Sequence, residues 1–312
     1  MPSSASSPSS SSGPIDLRRV RRLFAAPERM VDSDFFRREV AGRMHERLAL
    51  VKIDPARALD AGCGEGADLP LLQQRYPAAH LIGADAAHAM LAAARSRDGA
   101  ARSALDRLLG KWLPGKAGSG RNLPGLTCGD FAQLPFGGNT FDLIWSNLAL
   151  HWHPQPDRVF AEWRRVLRVD GVLMFSCFGP DTFKQLRAAF AAVDDAPHLL
   201  SFVDMHDFGD MLVNAGFSTP VMDMENITVT YPSAEKLLSD VRAWGGNPLA
   251  TRRRGLFGPR DKARVTATLE AGRMADGRLP LTFEVIYGHA FRPAPRTTAA
   301  GETIVRLERP KK

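Results

Sequence analysis

The chain is poor in cysteine, with only Cys63, Cys128 and Cys177 among 312 residues. Three widely spaced cysteines match no zinc spacing and no disulfide framework. The expectation is small buried residues in a reducing, cytoplasmic setting. No apolar run reaches the roughly 18 residues that a membrane span requires. The segment Met1 to Pro14 is almost all Ser, Pro and Ala. It has no apolar stretch and no early cation, so a secretory signal is not expected and disorder is. Acidic residues are outnumbered, and the net charge is +7. That balance favours acidic partners. The cations cluster at Arg18-Arg19, Arg21-Arg22, Arg37-Arg38, Arg164-Arg165, Arg252-Arg253-Arg254 and Lys311-Lys312. Most are expected on solvated helix faces. The Arg252–Arg254 run follows Gly245-Gly246-Asn247-Pro248 in a predicted loop and is a candidate contact for an acidic partner.

What is present is concentrated in Leu59-Asp60-Ala61-Gly62-Cys63-Gly64-Glu65-Gly66. A short apolar strand runs into an acid and then glycines at every second position. Glycine accepts positive φ and lets a ligand lie against the main chain. The helix that follows offers free N–H groups at its start. A dinucleotide fingerprint requires G-x-G-x-x-G, whereas the spacing here is G-x-G-x-G. A second strand, His80 to Ala84, ends in Asp85, an acid placed to hold two ribose hydroxyls.

Further motifs follow in order: Cys128-Gly129-Asp130-Phe131 with Leu134-Pro135-Phe136, then Phe141 to Asn147, then Val169 to Ser176. Together with Asp60–Gly66 and Asp85 they resemble the class I S-adenosylmethionine methyltransferases. The resemblance implies an α/β fold: a seven-stranded, doubly wound, Rossmann-like sheet whose last strand is antiparallel. It implies S-adenosyl-L-methionine as cofactor, held by Asp60, Gly62, Gly64, Asp85, Met90, Asp130, Phe131 and Asn147. Arg38, on the helix before the first strand, is a candidate partner for the cofactor's carboxylate.

The expected organisation is a tail at 1–14 and one methyltransferase domain at 15–292. That domain divides into N-terminal helices forming a lid at 15–52, a cofactor-binding core at 53–178, and C-terminal helices and strands at 179–292. A basic tail occupies 293–312. Helical spacing predicts a basic helix over Ile15–Phe24 and an amphipathic one over residues 33–51, capped by Asp32 or Ser33. The Gly/Lys-rich stretch 97–124 is predicted to be an inserted surface loop. Strands are expected near Ala56–Leu59, Leu126–Cys128, Phe141–Trp145, Gly171–Cys177, Glu225–Tyr231 and Leu281–Ala290. A helix capped by Asp181, and others at Ala87–Arg95, Asp157–Leu167, His206–Asn214, Ser233–Trp244 and Asp261–Met274, complete the pattern.

Methyl transfer from a sulfonium is an in-line displacement that requires no metal. The acceptor must sit about 3–3.5 Å from the methyl carbon with water excluded. A carboxylate acceptor is already anionic and needs no base, whereas an amine or phenol needs one. His151 and Trp152, beyond the fourth strand, are the candidate acceptor-pocket residues. For His151 the alternative is a hydrogen-bonded structural histidine. The pair His151/His153 lacks a third ligand, so no metal site is expected.

Outside the core, Phe36 to Met44, Trp145 to Trp152 and Phe178 to Leu186 are similar to the biotin-synthesis methyltransferases. That family O-methylates malonyl-acyl-carrier protein, an acidic partner. Neither nucleic acid nor a membrane span is expected as a partner, and oligomeric state is not legible. The chain departs from the family where a Tyr-Asp pair usually follows a phenylalanine: here Phe24 is followed by Ala25-Ala26-Pro27. The C-terminal third, through Asn226 to Pro232, Gly245-Gly246-Asn247 and Pro280 to Tyr287, also resembles a methyltransferase-fold complex I assembly factor family. That likeness implies arginine hydroxylation instead. A non-catalytic scaffold of the same fold is the third alternative.

Overall fold

The structure is a computed structural model that describes residues 14–97, 124–252 and 257–295. Nearly all of the tail at 1–14, the insertion at 97–124 and most of the tail at 293–312 lie outside the described residues, as do Arg253 and Arg254.

Seven strands form one sheet: β1 (Arg57–Ala61), β2 (His80–Asp85), β3 (Gly125–Cys128), β4 (Phe141–Ser146), β5 (Leu167–Phe178), β6 (Ser218–Tyr231) and β7 (Leu279–Phe291). Their order across the sheet is β3-β2-β1-β4-β5-β7-β6. Neighbours from β3 through β5 pair in parallel, and β7 runs antiparallel to both β5 and β6. This is the expected α/β architecture, with the strand order reversing at β1. Such a reversal opens a crevice at the carboxyl ends of the strands.

The helices are α1 (Leu17–Leu23), α2 (Asp34–Leu48), α3 (Leu69–Arg75), α4 (88–97), α5 (Pro156–Val166), α6 (Lys184–Ala191), α7 (Met205–Asn214), α8 (Ala234–Ala243) and α9 (Pro259–Ala271). Among the described residues no helix is long and apolar enough to cross a membrane. The strands' period of two sends alternate side chains to opposite faces. Leu143, Trp145, Val172 and Met174 join one buried layer with α2, α3, α6, α8 and α9. Ile144, Leu173 and Phe175 join the other with α5 and α7. Both faces are therefore covered, as parallel strands require.

Several boundaries move for physical reasons. Helix α2 starts at Asp34 directly from a 3₁₀ turn over Pro27–Ser33. Strand β6 begins at Ser218 rather than Glu225, because pairing with β7 continues along its length. Asp181 does not cap α6: Phe183, at φ 64°, occupies that place, and Asp181 pairs with Lys184 at 3.1 Å. The segment before α6 is instead fastened to β7. Phe183 N–H donates to Thr282 O at 2.8 Å, and Asp181 N–H donates to the Glu284 carboxylate at 2.6 Å. Cys63 and Cys177 are buried as expected, but Cys128 is exposed at the end of the short outer strand β3.

Helix α2 matters most for the site. Arg43 and Arg47 bind Glu225 (2.5 Å) and Asp223 (2.6 Å) on β6, and the Arg47 guanidinium lies 3.8 Å above the Tyr287 ring. These contacts fix the helix across β6 and β7. Its N-terminal turn then lies beside the loop after β1, where Arg37 reaches Glu65.

Candidate active site

The loop after β1 turns on three glycines with positive φ: Gly62 at 82°, Gly64 at 54° and Gly66 at 72°. Gly62 and Cys63 donate their N–H groups to Ala84 O at 2.8 and 3.1 Å, tying the loop to β2. A Cβ on Gly62 would lie 2.3 Å from the Ala149 Cβ, so the backbone approaches the loop after β4 as only glycine allows. Asp85 ends β2 and accepts from the N–H groups of Gly64 (2.9 Å) and Ala87 (2.7 Å). Burial raises its carboxyl above the usual range, against those two hydrogen bonds.

The loop after β4 is held from below. Ser146 Oγ donates to Ala61 O at 2.7 Å, Ser176 Oγ to Asn147 Oδ1 at 2.9 Å, and Asn147 Nδ2 to Arg37 O at 3.1 Å. Asn147 thus connects β5 to α2. Leu148, at φ 49°, then turns the chain so that a 3₁₀ turn presents His151 and Trp152.

These loops enclose a space of about 860 Å³. Of the predicted residues, Gly62, Gly64, Asp85, Met90, Phe131, Asn147, His151 and Trp152 line it. Asp60 lines a smaller adjoining space of about 360 Å³, which shares Gly62, Gly64 and Asn147 with the first. Asp60 is buried, its Oδ2 lacks a partner among the described residues, and burial beside Asp68 and Asp85 pushes its pKa well up. Asp130 lines neither space. Its carboxylate accepts from Ala132 N–H at 2.9 Å and faces Arg21 and His153, each at 3.7 Å.

Arg38 stands differently from expectation. It lines only the smaller space, its side chain is 71% exposed, and it pairs with Asp34. Arg37 lines both spaces, pairs with Asp34 (3.0 Å) and Glu65 (3.3 Å), and leaves its Nε buried without a partner. The helical period could have found it: Arg37 lies on the stripe of Ala41, Met44 and Leu48, whereas Arg38 does not. The unpartnered acceptor on Asp60 and the unpartnered donor on Arg37 share the small space. Together they fit the ammonium and carboxylate of an amino-acid group. The large space beside Asp85, Met90 and Phe131 fits a nucleoside.

His151 is buried in an aromatic cage of Phe178 (4.6 Å between centroids), Trp152 (5.1 Å) and Phe202 (5.6 Å). Neither ring nitrogen has a hydrogen-bond partner among the described residues. Burial lowers its pKa to about 3. His153 is buried too, in the loop just after the 3₁₀ turn and close to Asp130. Among the described residues no group of three or more potential ligands is arranged to hold a metal.

Sequence reasoning expected an N-terminal lid over residues 15–52 without naming the side chains of its roof. Val20, Arg21 and Phe24 of the N-terminal segment, with Met30, cover the large space, and Phe24 meets Trp152 edge-on at 5.1 Å. It also missed Phe178 and Trp244, which stand between this space and a third of about 810 Å³. Phe178 was named only as the start of the Phe178–Leu186 stretch and Trp244 only as a helix end; long-range packing brings them there.

Residues 59–175 match the family described as "Methyltransferase domain". The sheet resembles those of the YcgJ protein from Bacillus subtilis (TM-score 0.53, 15% identity, 81% of this chain and 98% of that one) and a putative methyltransferase from Bacillus halodurans (0.53, 16%, 81% and 99%). Those likenesses concern the fold. Among curated relatives, a malonyl-acyl-carrier protein O-methyltransferase from Laribacter hongkongensis is 46% identical, covering 90% of this chain and 91% of its own. The protein of the same name from Gallionella capsiferriformans is 44% identical, over 94% and 96%. Likeness of this degree along nearly the whole length, on a class I fold with the methyltransferase motifs in place, makes the chain an S-adenosyl-L-methionine-dependent methyltransferase that belongs to the malonyl-acyl-carrier protein O-methyltransferase family.

Proposed function

We propose that this enzyme methylates the free carboxylate of malonyl-acyl-carrier protein, the ester-forming step of biotin synthesis. The names and extent of its relatives support that substrate over arginine hydroxylation or a scaffold role. One observation in the site supports it independently. The titratable group at the partition beside Trp152 and Phe178 is His151, and burial holds its pKa near 3. So weak a base cannot take a proton from an amine or a phenol near neutral pH. A carboxylate arrives already ionised and asks for none.

In this reading Asp85 receives the ribose hydroxyls, and Met90 and Phe131 hold the adenine. Asp60 accepts from the ammonium group and Arg37 pairs with the carboxylate of the methionine moiety. Arg38 contributes at most at the rim. Asp130 keeps Phe131 in place, through its turn with Ala132 and its charge opposite Arg21. The cofactor supplies a methyl group on a positively charged sulfur. The carboxylate oxygen forms its bond to that methyl carbon as the carbon–sulfur bond breaks, and the electron pair leaves on sulfur. The two charges cancel and no proton moves. The aromatic partition excludes water and strengthens the attraction between the opposite charges. Buried free thiols at Cys63 and Cys177 support a cytoplasmic location.

The test is incubation with methyl-labelled S-adenosyl-L-methionine and malonyl-acyl-carrier protein. A base-labile methyl ester is expected on the carrier. Intact cofactor binding without that ester refutes the proposal.

A further inference from the structure

A second large space of about 810 Å³ lies beyond His151, Trp152, Phe178 and Trp244, which line both it and the first. Its walls are apolar: Phe183, Phe190, Leu199, Leu200, Phe202 and Leu238. Polar residues gather elsewhere on its lining. At the partition the two ring nitrogens of His151 and Nε1 of Trp244 are buried without partners among the described residues. Arg242, Gly246 and Asn247 form another part of the lining, and Arg242 and Gly246 are exposed, which places an opening there.

That opening has a basic border. Helix α1 is fastened to it: Asp16 N–H donates to Pro248 O at 3.0 Å, Ala250 N–H to Pro14 O at 2.8 Å, and Arg19 Nε to Asn247 O at 2.7 Å. Arg18 and Arg22 on α1 and Arg242 on α8 make no ion pair with a carboxylate among the described residues, unlike Arg21, which faces Asp130. Burial, and then the charges of Arg252 and Arg22, lower the pKa of Arg19, so these cations stand close enough to repel one another. Asp16, the cap of α1, offsets part of that charge, and the remaining excess of cations matches an acidic surface, as does the net charge of +7. A free dicarboxylic acid would find no cation along the apolar walls. A long arm of alkyl and amide groups ending in a carboxylate would bury its length there, with Arg242 and Asn247 at one end, His198 along the wall, and His151 and Trp244 at the partition as its polar neighbours.

We propose that this second space is the entry channel for the acceptor's thioester arm, and that the Arg18–Arg22–Arg242–Arg252 border docks the acidic carrier protein that presents it. The proposal rests on the carrier-protein reading above. Within it, the arm passes Arg242 and Asn247, runs between Phe190, Leu199 and Phe202, and brings the carboxylate to His151 and Trp244.

The experiment compares two acceptors, malonyl-acyl-carrier protein and malonyl-pantetheine, which has the arm without the protein. Arg18→Glu/Arg22→Glu changes exposed residues only. It is expected to raise the KM for the carrier by about ten-fold or more while malonyl-pantetheine kinetics stay within about two-fold. Leu199→Trp, which fills the channel, is expected to lower kcat/KM roughly a hundred-fold for both acceptors with cofactor affinity unchanged. Val241→Phe is a milder obstruction in the same lining and guards against misfolding of the first variant. Wild-type kinetics with both acceptors in the channel variants, or an unchanged carrier KM in the charge reversal, overturn the assignment. Failure of the unaltered enzyme to methylate either thioester, with cofactor binding intact, sinks the carrier-protein reading itself and is a different result.

Discussion

Replacing Gly62 by alanine tests whether the glycine loop is the floor of the cofactor site. The perturbation has two separable parts. At φ 82° an L-residue pays a left-handed penalty of about 1–2 kcal/mol. Its Cβ would also stand 2.3 Å from the Ala149 Cβ and 3.6 Å from the Phe131 ring. Overpacking of that kind costs about 1–3 kcal/mol. If the loop holds its position, the combined cost of about 2–5 kcal/mol lowers stability. If the loop yields, the hydrogen bonds to Ala84 lengthen and Gly64 moves off Asp85. Cofactor affinity then falls by more than ten-fold, since each tenfold corresponds to about 1.4 kcal/mol. Urea unfolding and titration calorimetry read the two arms. The double variant Gly62→Ala/Ala149→Gly removes the close contact and leaves only the backbone strain, so it should recover about 1–3 kcal/mol. A single variant with unaltered stability and affinity, or a double variant with no recovery, would refute the reasoning.

Other expectations follow from neighbouring residues. Arg37→Ala should weaken cofactor binding by about ten-fold, as expected for loss of a charge-assisted bond, while Arg38→Ala changes it less than about two-fold; equal effects in calorimetry would show that the inward-facing arginine was misassigned. Trp145→Phe removes the donor that reaches the buried Asp68 at 2.8 Å and should cost about 1–3 kcal/mol in urea unfolding. For His151 the folded pKa, about 3, lies below the unfolded value of 6.5. The unfolded chain therefore binds more protons between those values, and stability falls as pH drops through that window. From pH 7 to pH 5 this group alone should remove about 2 kcal/mol. His151→Phe should be free of that component, so parallel losses in the two proteins would contradict the burial argument.

The glycine loop and Asp85 were legible because their signals are local. Gly62, Gly64 and Asp85 are fixed by one strand, one turn and the next strand, and the sequence order of those elements places them together. At the partition between the two large spaces, only His151 and Trp152 were singled out in the sequence. Phe178, Trp244 and Phe202 come from separate elements, and nothing in their neighbours' spacing marks them as partners. The extent of β6 was hidden for a related reason: its first residues form a strand because β7 lies beside them. The choice between Arg37 and Arg38 turned on helical phase, since adjacent residues diverge by about 100°. Phe24, after which a departure from the resembled family's lid was expected, closes on Trp152.

The most direct measurement is the single-turnover rate of methyl-ester formation on malonyl-acyl-carrier protein as a function of pH. With the acceptor ionised and His151 held neutral, the ester should form at a rate that is flat between about pH 6 and pH 8. Absence of the ester, or a rate that rises through an ionisation near neutrality, would contradict transfer to a carboxylate without a protein base.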